Sequence, residues 1–418
     1  MATVTVAQIT DTLKQHLNLS TVGDKAPDTE TKPQQPDIEY HPDRTKWEAR
    51  TARRLAADPS LPRAPLPAGF PKKLESPLVW EGSDWTDEKE WVYALTAPDL
   101  EEIASALKHF RSLDKPLGFV SQTTFPLPTL GPILAGIARE LHSGRGFSVV
   151  RGIPVASYSR EDVVIIYAGV SSYVGEKRGL QHHDGAVLAH IKDLTALYDN
   201  SEIGAPAFTT DPQVFHTDLG DIISLFALEV AAEGGVSKIS SSWRVYNHIA
   251  EHRPDLIETL SQPWPFDGFG ADPPYTSHPL LAYVGDKVVV QYARRSLTGY
   301  LGAARSSNIP PITEAQAEAL DTLHFLAEQY ALRLDFQKGD IQYINNLSIF
   351  HARDGFRDDK EHARHLVRLW LRNEELAWAI PEYLDLHWQR LYNGLTVDPE
   401  KQKFPLEPEI RDPKGAKY

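Results

Sequence analysis

Apolar residues along this chain follow two rhythms. The first is helical. In PDLEEIASALKHFRSL (98–113), Leu100, Ile103, Leu107 and Phe110 recur at helical spacing. SREDVVIIYAGVSSYVG (159–175) opens with a Ser N-cap and an acidic first turn and predicts a second helix. Two more are predicted at SSWRVYNHIAEHRPDL (241–256) and TEAQAEALDTLHFLAEQYAL (313–332). The apolar stripe of the last is assigned to core packing. The second rhythm is that of strands: FSVVRGIP near residue 147, then AVLAHIKDL, DIISLFALEV, VSKISS, LLAYVGDKVVVQYA, DIQYINNLSIFHAR and LVRLWLR. LLAYV-GD-KVVVQ predicts a hairpin with a two-residue turn. Together these predict a mainly β fold with flanking helices, a sandwich or a jelly roll.

The first 75 residues break the pattern. Residues 1–20 fit a short amphipathic helix. Residues 21–75 are dense in Pro and charge (KAPDTETKPQQPD, DPSLPRAPLPAGFPKK), which predicts an extended or partly disordered N-terminal leader over 1–75. A single domain is then expected over 76–418, with its core at roughly 140–375 and a C-terminal helical cap in which Trp378, Tyr383 and Trp388 close the sheet.

Charge and composition narrow the chemistry. A formal charge of −14 argues against a nucleic-acid or anionic-membrane surface. The chain has no cysteine, so disulfides, thiolate metal sites and cysteine nucleophiles are all excluded. Any metal must be held by His, Asp or Glu. The N-terminus lacks a basic stretch followed by an apolar one, so no signal peptide is read and a cytoplasmic location is expected. Homo-oligomerisation is left open.

Three His-x-Asp pairs occur among sixteen histidines: His41–Asp43, His182–Asp184 and His216–Asp218. The first lies in the Pro-rich leader and the second in a glycine loop. His216 and Asp218 stand directly ahead of the apolar run Ile222–Ala232. On extended backbone, residues i and i+2 point to the same side, so an imidazole and a carboxylate can face one metal. His351, after the apolar run Ile341–Ile349, is the candidate third ligand. Two His and one carboxylate form the facial triad of non-haem Fe(II) oxygenases. The same set also binds zinc, although no HExxH-type base accompanies it.

Beyond His351, alternation places Arg364, Leu366, Arg368 and Trp370 on one strand face. Internal arginines need anions, and a guanidinium fork fits a carboxylate. Four residues of strand separate Arg364 and Arg368 by roughly 13 Å, so they serve different carboxylates, or one serves a carboxylate and the other an internal ion pair.

HTD at 216–218, Gly234-Gly235 followed by Ser237, HARDGF at 351–356 and RHLVR at 364–368 together resemble the taurine dioxygenase (TauD/TfdA) superfamily, its fungal members most closely. The resemblance spans roughly 140–375. It implies a double-stranded β-helix, with Fe(II) held by His216, Asp218 and His351. It further implies that Arg364 clamps the distal carboxylate of the co-substrate 2-oxoglutarate, helped by Ser237. O2 is then consumed, succinate and CO2 are released, and a small molecule is hydroxylated, with desaturation and cyclisation as other outcomes. Arg368 matches an arginine that in some members meets a substrate anion. Asn346 and His183 are weaker substrate candidates. An anionic or zwitterionic substrate such as an amino acid is therefore expected. The rivals are a metal-dependent hydrolase or isomerase on the same fold and a non-catalytic binding protein.

Overall fold

The computed structural model describes residues 34–408. Its helices of eight or more residues are α1 (Arg44–Ala57), α2 (Ala97–Ser112), α3 (Leu130–Ser143), α4 (Arg160–Ser171), α5 (Ser242–His252), α6 (Pro254–Ser261), α7 (Glu314–Gln329) and α8 (Asp385–Tyr392). The strands that build the core are β1 (Val92–Ala94), β2 (Phe147–Arg151), β3 (Lys177–Arg178), β4 (Leu188–Lys192), β5 (Gln213–His216), β6 (Ile222–Glu229), β7 (Ser237–Ser241), β8 (Leu332–Leu334), β9 (Ile341–Asn345), β10 (Ile349–Arg353) and β11 (His365–Arg372). One sheet runs β1-β2-β9-β6-β11-β3, with β4 also paired to β11. A four-stranded sheet, β8-β7-β10-β5, forms the other layer. Consecutive strands alternate between the two sheets at β4, β5, β6 and β7, and again at β8 to β11. The fold is the expected double-stranded β-helix.

The larger sheet is covered on both faces, which explains why β6 reads as an unbroken apolar run. Ile222, Phe226 and Leu228 pack with α2, α3 and α4, while Ile223 packs into the space between the sheets. Ser224, the one polar side chain in β6 before Glu229, is satisfied by the Tyr167 hydroxyl at 2.9 Å. The hairpin at 281–290 forms as predicted, with Val284 opposite Lys287. Gly285 and Asp286 both have positive φ, as a two-residue turn of this hand requires.

Three local expectations change. DIQYINNLSIFHAR is not one strand. The Asn345 side chain accepts the backbone N–H of Leu347 at 3.0 Å, a turn intervenes, and β9 and β10 enter different sheets. The helix predicted over 241–256 is two, because Pro254 lacks the N–H to continue the first and begins the second. Helix α7 ends at Gln329, and Leu332 belongs to β8.

The largest correction concerns the leader. Residues 1–33, including the helix expected within 1–20, lie outside the described residues. From Gln35 onward the chain belongs to one compact unit rather than to an extended arm. Helix α1 docks on α7 through charge. Arg50, with only 2% of its surface exposed, reaches Asp321 and Glu314 at 2.9 Å each. Arg54 pairs with Glu318, which is fully buried and also takes Arg253. At the other end, Trp388 and Tyr392 of α8 hold Asp221, at 2.7 and 3.1 Å. Among the described residues, no helix is long and apolar enough to cross a membrane.

A histidine pair joins β4 to β11: His190 Nδ1 and His365 Nε2 lie 2.7 Å apart. Burial, then the neighbouring His190, holds His365 down to about 3, against an ordinary 6.5. The unfolded chain therefore takes up the proton first as pH falls. The associated stability is complete above about pH 6.5 and is lost toward pH 3, at up to ~1.4 kcal/mol per pH unit. Urea midpoints should fall between pH 7.5 and 5, and His365→Gln should flatten that slope. An unchanged slope in the variant would assign the dependence to other histidines.

Candidate active site

Strands β5 and β10 run antiparallel with His216 opposite His351. Directly opposed residues project from the same face, so the two rings sit with centroids 4.0 Å apart. Asp218 follows two residues after His216, in the turn that carries the chain to β6. One ligand atom each from His216, Asp218 and His351 all lie within 4.8 Å of one another. No other group of three or more such residues occurs among the described residues.

Each member is in a protonation state that could hold a metal. The Nδ1–H of His216 donates to the Val214 carbonyl at 2.9 Å, which leaves Nε2 with its lone pair. The Gln213 amide donates to that nitrogen at 3.0 Å. His351 Nδ1 is buried without a hydrogen-bond partner. Burial lowers the pKa of His216, and burial with the neighbouring His216 holds His351 at about 3. Burial alone would raise Asp218, but Arg368, His351 and His216 outweigh it and hold the carboxyl at about 2. Two neutral imidazoles and one carboxylate result, the donor set of a facial triad.

Asp218 is fixed from three sides. Its Oδ2 accepts Arg368 Nη1 at 2.7 Å and Trp370 Nε1 at 3.3 Å. Its backbone N–H donates to Asn346 Oδ1 at 2.8 Å, and Asn346 Nδ2 returns bonds to the carbonyls of Asp218 and Gly220. Asn346 is fully buried, with both amide hydrogens engaged. It positions Asp218, and the structure does not present it to a substrate. Arg368 is likewise engaged: besides Asp218, its Nε and Nη2 bond Gln181 Oε1 at 3.1 and 2.8 Å. The alternation of β11 correctly turns it inward, but the anion it meets is Asp218. His183 is exposed and packs at a tilt against His182, with ring centroids 3.9 Å apart. The residue of that loop that reaches the site is Gln181.

Arg364 lies just before β11 and is buried. Its Nη1 has no hydrogen-bond partner, and its guanidinium carbon lies 5.4 Å from the Phe356 ring centroid. Burial, then the nearby Arg353, pushes its pKa down to about 9. This is a desolvated cation: Asp358 offsets its charge only in part, and that carboxylate accepts the Arg364 backbone N–H at 2.9 Å. Gly235 makes the room: a Cβ there would stand 3.3 Å from Arg364 Cδ, and its φ of +66° also suits glycine. A cavity of about 100 Å³ adjoins, lined by Gly234, Gly235, Val236, Leu334, Arg364 and Leu366 among others. Ser237 is buried and donates its hydroxyl to Gln342 Oε1 at 2.9 Å. Trp370 faces inward as the alternation of β11 predicts, whereas motif reading passed over Gln342, for which strand parity was a signal.

A jelly roll that gathers two histidines and an aspartate, with a desolvated arginine at the start of a strand in the other sheet, defines an Fe(II)- and 2-oxoglutarate-dependent dioxygenase. The chain belongs to the taurine catabolism dioxygenase TauD, TfdA family, which it matches over residues 111–370. It is 37% identical over 345 residues to the taurine hydroxylase-like protein SAT17 of Stachybotrys chartarum, covering 81% of this chain and 89% of that protein. It is 24% identical over 326 residues to FR-33289 synthase of Streptomyces rubellomurinus, covering 76% and 95%. Among solved structures, an asparagine oxygenase in complex with Fe(II), 2S,3S-3-hydroxyasparagine and succinate superposes with a TM-score of 0.52 at 16% identity, covering 68% of this chain and 93% of that one. Helix α1 lies outside the family match.

Proposed function

We propose that His216, Asp218 and His351 hold Fe(II), that Arg364 receives the distal carboxylate of 2-oxoglutarate, and that the enzyme hydroxylates a small amino acid or related carboxylate. The carrying observation is the opposed His216–His351 pair beside a carboxylate held ionised. The orphaned Nη1 of Arg364 supports the co-substrate assignment.

When bound, the iron supplies O2 activation coupled to decarboxylation of 2-oxoglutarate, giving succinate, CO2 and an oxidised substrate. The chain's own residues orient and insulate. His216 is kept in one tautomer by the Val214 carbonyl. Asp218 is kept ionised by Arg368 and held in place by Asn346 and Trp370. Arg364 fixes the far end of the co-substrate. The three residues would hold the metal from one side and would leave it accessible to small molecules from the other.

Arg368 no longer supports an acidic substrate, because Asp218 and Gln181 already occupy it. Support for the amino-acid class comes instead from the 3-hydroxyasparagine held by the structural neighbour. The test is anaerobic. Fe(II) and 2-oxoglutarate added to metal-free protein should give the weak visible charge-transfer band of chelated 2-oxoglutarate, absent in His216→Ala. A panel of amino acids should then stimulate succinate release in air. A folded protein without the band would favour the hydrolase reading, and a band without response to any amino acid would overturn the substrate class.

A further inference from the structure

Gln342 is a polar side chain in a place built for an apolar one. On β9, Ile341 and Tyr343 face the helical layer, and the Tyr343 hydroxyl meets Ser171 there at 2.9 Å. Alternation turns Gln342 the other way, into the space between the sheets. Its strand neighbours are Leu225 on β6 and Val149 on β2. It is 1% exposed. Leucine would fill such a position without cost, whereas a buried amide with an unmade hydrogen bond is costly.

One half of that amide is satisfied. The Ser237 hydroxyl donates to Oε1 at 2.9 Å. The other half, Nε2, is buried with no hydrogen-bond partner. A hydroxyl has one hydrogen, and that of Ser237 is already engaged. As a donor to a carboxylate, Ser237 is therefore unavailable, while Nε2 offers two hydrogens.

The position fits the same anion as Arg364. Gly235 lies against Arg364, and Ser237 is two residues further along that backbone, roughly 7 Å. Ser237 in turn touches Gln342. Strands β9 and β11 flank β6 on either side, so Gln342 and Arg364 approach one interior from both sides. On β6, Leu225 stands opposite Gln342 and Ala227 opposite Leu366, so β6 separates the two residues with one small side chain.

We propose that Gln342 is a binding residue for the distal carboxylate of 2-oxoglutarate, donating through Nε2 beside Arg364, and that Ser237 is a positioning residue that sets its amide. This rests on the reading of 2-oxoglutarate as co-substrate. It reassigns the hydroxyl expected to touch that carboxylate directly.

The test uses full-length protein loaded with Mn(II), so that binding is read without turnover. Calorimetry gives the affinity for 2-oxoglutarate and for pyruvate, a 2-oxo acid without the distal carboxylate. Gln342→Met should weaken 2-oxoglutarate about 10- to 100-fold, the worth of a hydrogen bond to a charged group. Mn(II) affinity and pyruvate affinity should not change. Ser237→Ala should weaken 2-oxoglutarate less, and should add nothing in the Gln342→Met background, because the serine acts through the amide. Gln342→Glu keeps the shape and should weaken 2-oxoglutarate more than Gln342→Met. It serves as the folded control if the methionine variant is unstable. Unchanged 2-oxoglutarate affinity in either Gln342 variant, or an equal loss for pyruvate, overturns the proposal. If the unaltered protein shows no Mn(II)-dependent binding of 2-oxoglutarate, the co-substrate reading itself falls and takes this proposal with it.

Discussion

Replacing Asp218 with alanine is expected to abolish activity and to weaken Mn(II) or Fe(II) binding by more than about 100-fold. Loss of an outer-shell partner typically costs 10- to 100-fold in metal affinity, and Asp218 is proposed as a direct ligand. The loss has a second component. Arg368, largely buried, would keep Gln181 but lose its only ion-pair partner among the described residues. Removing one side of a buried pair costs roughly 3–5 kcal/mol, because the remaining charge stays desolvated. Asp218→Asn separates the two effects. An amide oxygen can still accept from Arg368 and Trp370, so the fold should tolerate it better, while the anionic ligand is lost. Metal titration and thermal melting should therefore diverge: both fall in Asp218→Ala, and mainly the first in Asp218→Asn. An alanine variant that binds Mn(II) within a few-fold of the unaltered protein would remove Asp218 from the ligand set.

The second large effect is one of stability. Glu318→Ala should destabilise the protein by roughly 3–5 kcal/mol, a large part of the ~5–15 kcal/mol that holds a typical domain. Glu318 is fully buried and lies between Arg54 of α1 and Arg253, which sits between α5 and α6. Burial alone would raise its pKa, but Arg253 and Arg54 outweigh this and hold it below the usual range. Its contribution is therefore present above the ordinary carboxylate pKa and is lost as pH falls through the lower folded value. Without the carboxylate, Asp255 alone is left to meet both guanidinium groups, at 2.8 Å from Arg253 and 3.6 Å from Arg54. Urea unfolding followed by tryptophan fluorescence measures the change. A loss below about 1 kcal/mol would show that the two arginines find other partners.

Local patterns disclosed the longer core strands and the starts of α2, α4, α5 and α7. Ser159 caps its helix by accepting the Asp162 backbone N–H, as read from the sequence. His216, Asp218 and His351 were legible because residue type and strand context combined with motif order. Which strand joins which sheet was not legible. Both layers have buried faces, so strands of either look alike, and the His216–His351 register joins segments 135 residues apart. The partners of Arg368 and Asn346 were hidden for the same reason. Each satisfies Asp218 across a distance that no local window spans. Helix α1 escaped for another reason. It docks by arginines, and apolar periodicity does not register a helix whose buried residue is Arg50.

That mode of docking affects how the chain is made. Arg50 and Asp321 are separated by 271 positions. At a synthesis rate of ~5–20 residues per second, the N-terminal helix emerges roughly 14 to 54 s before the acidic surface that receives it. A helix waiting that long with an oily face would invite aggregation on the ribosome. This one waits with arginines, which water solvates well, and it commits only when Glu314, Glu318 and Asp321 arrive. Its attachment is thus a late step in biogenesis, and one that high salt would slow.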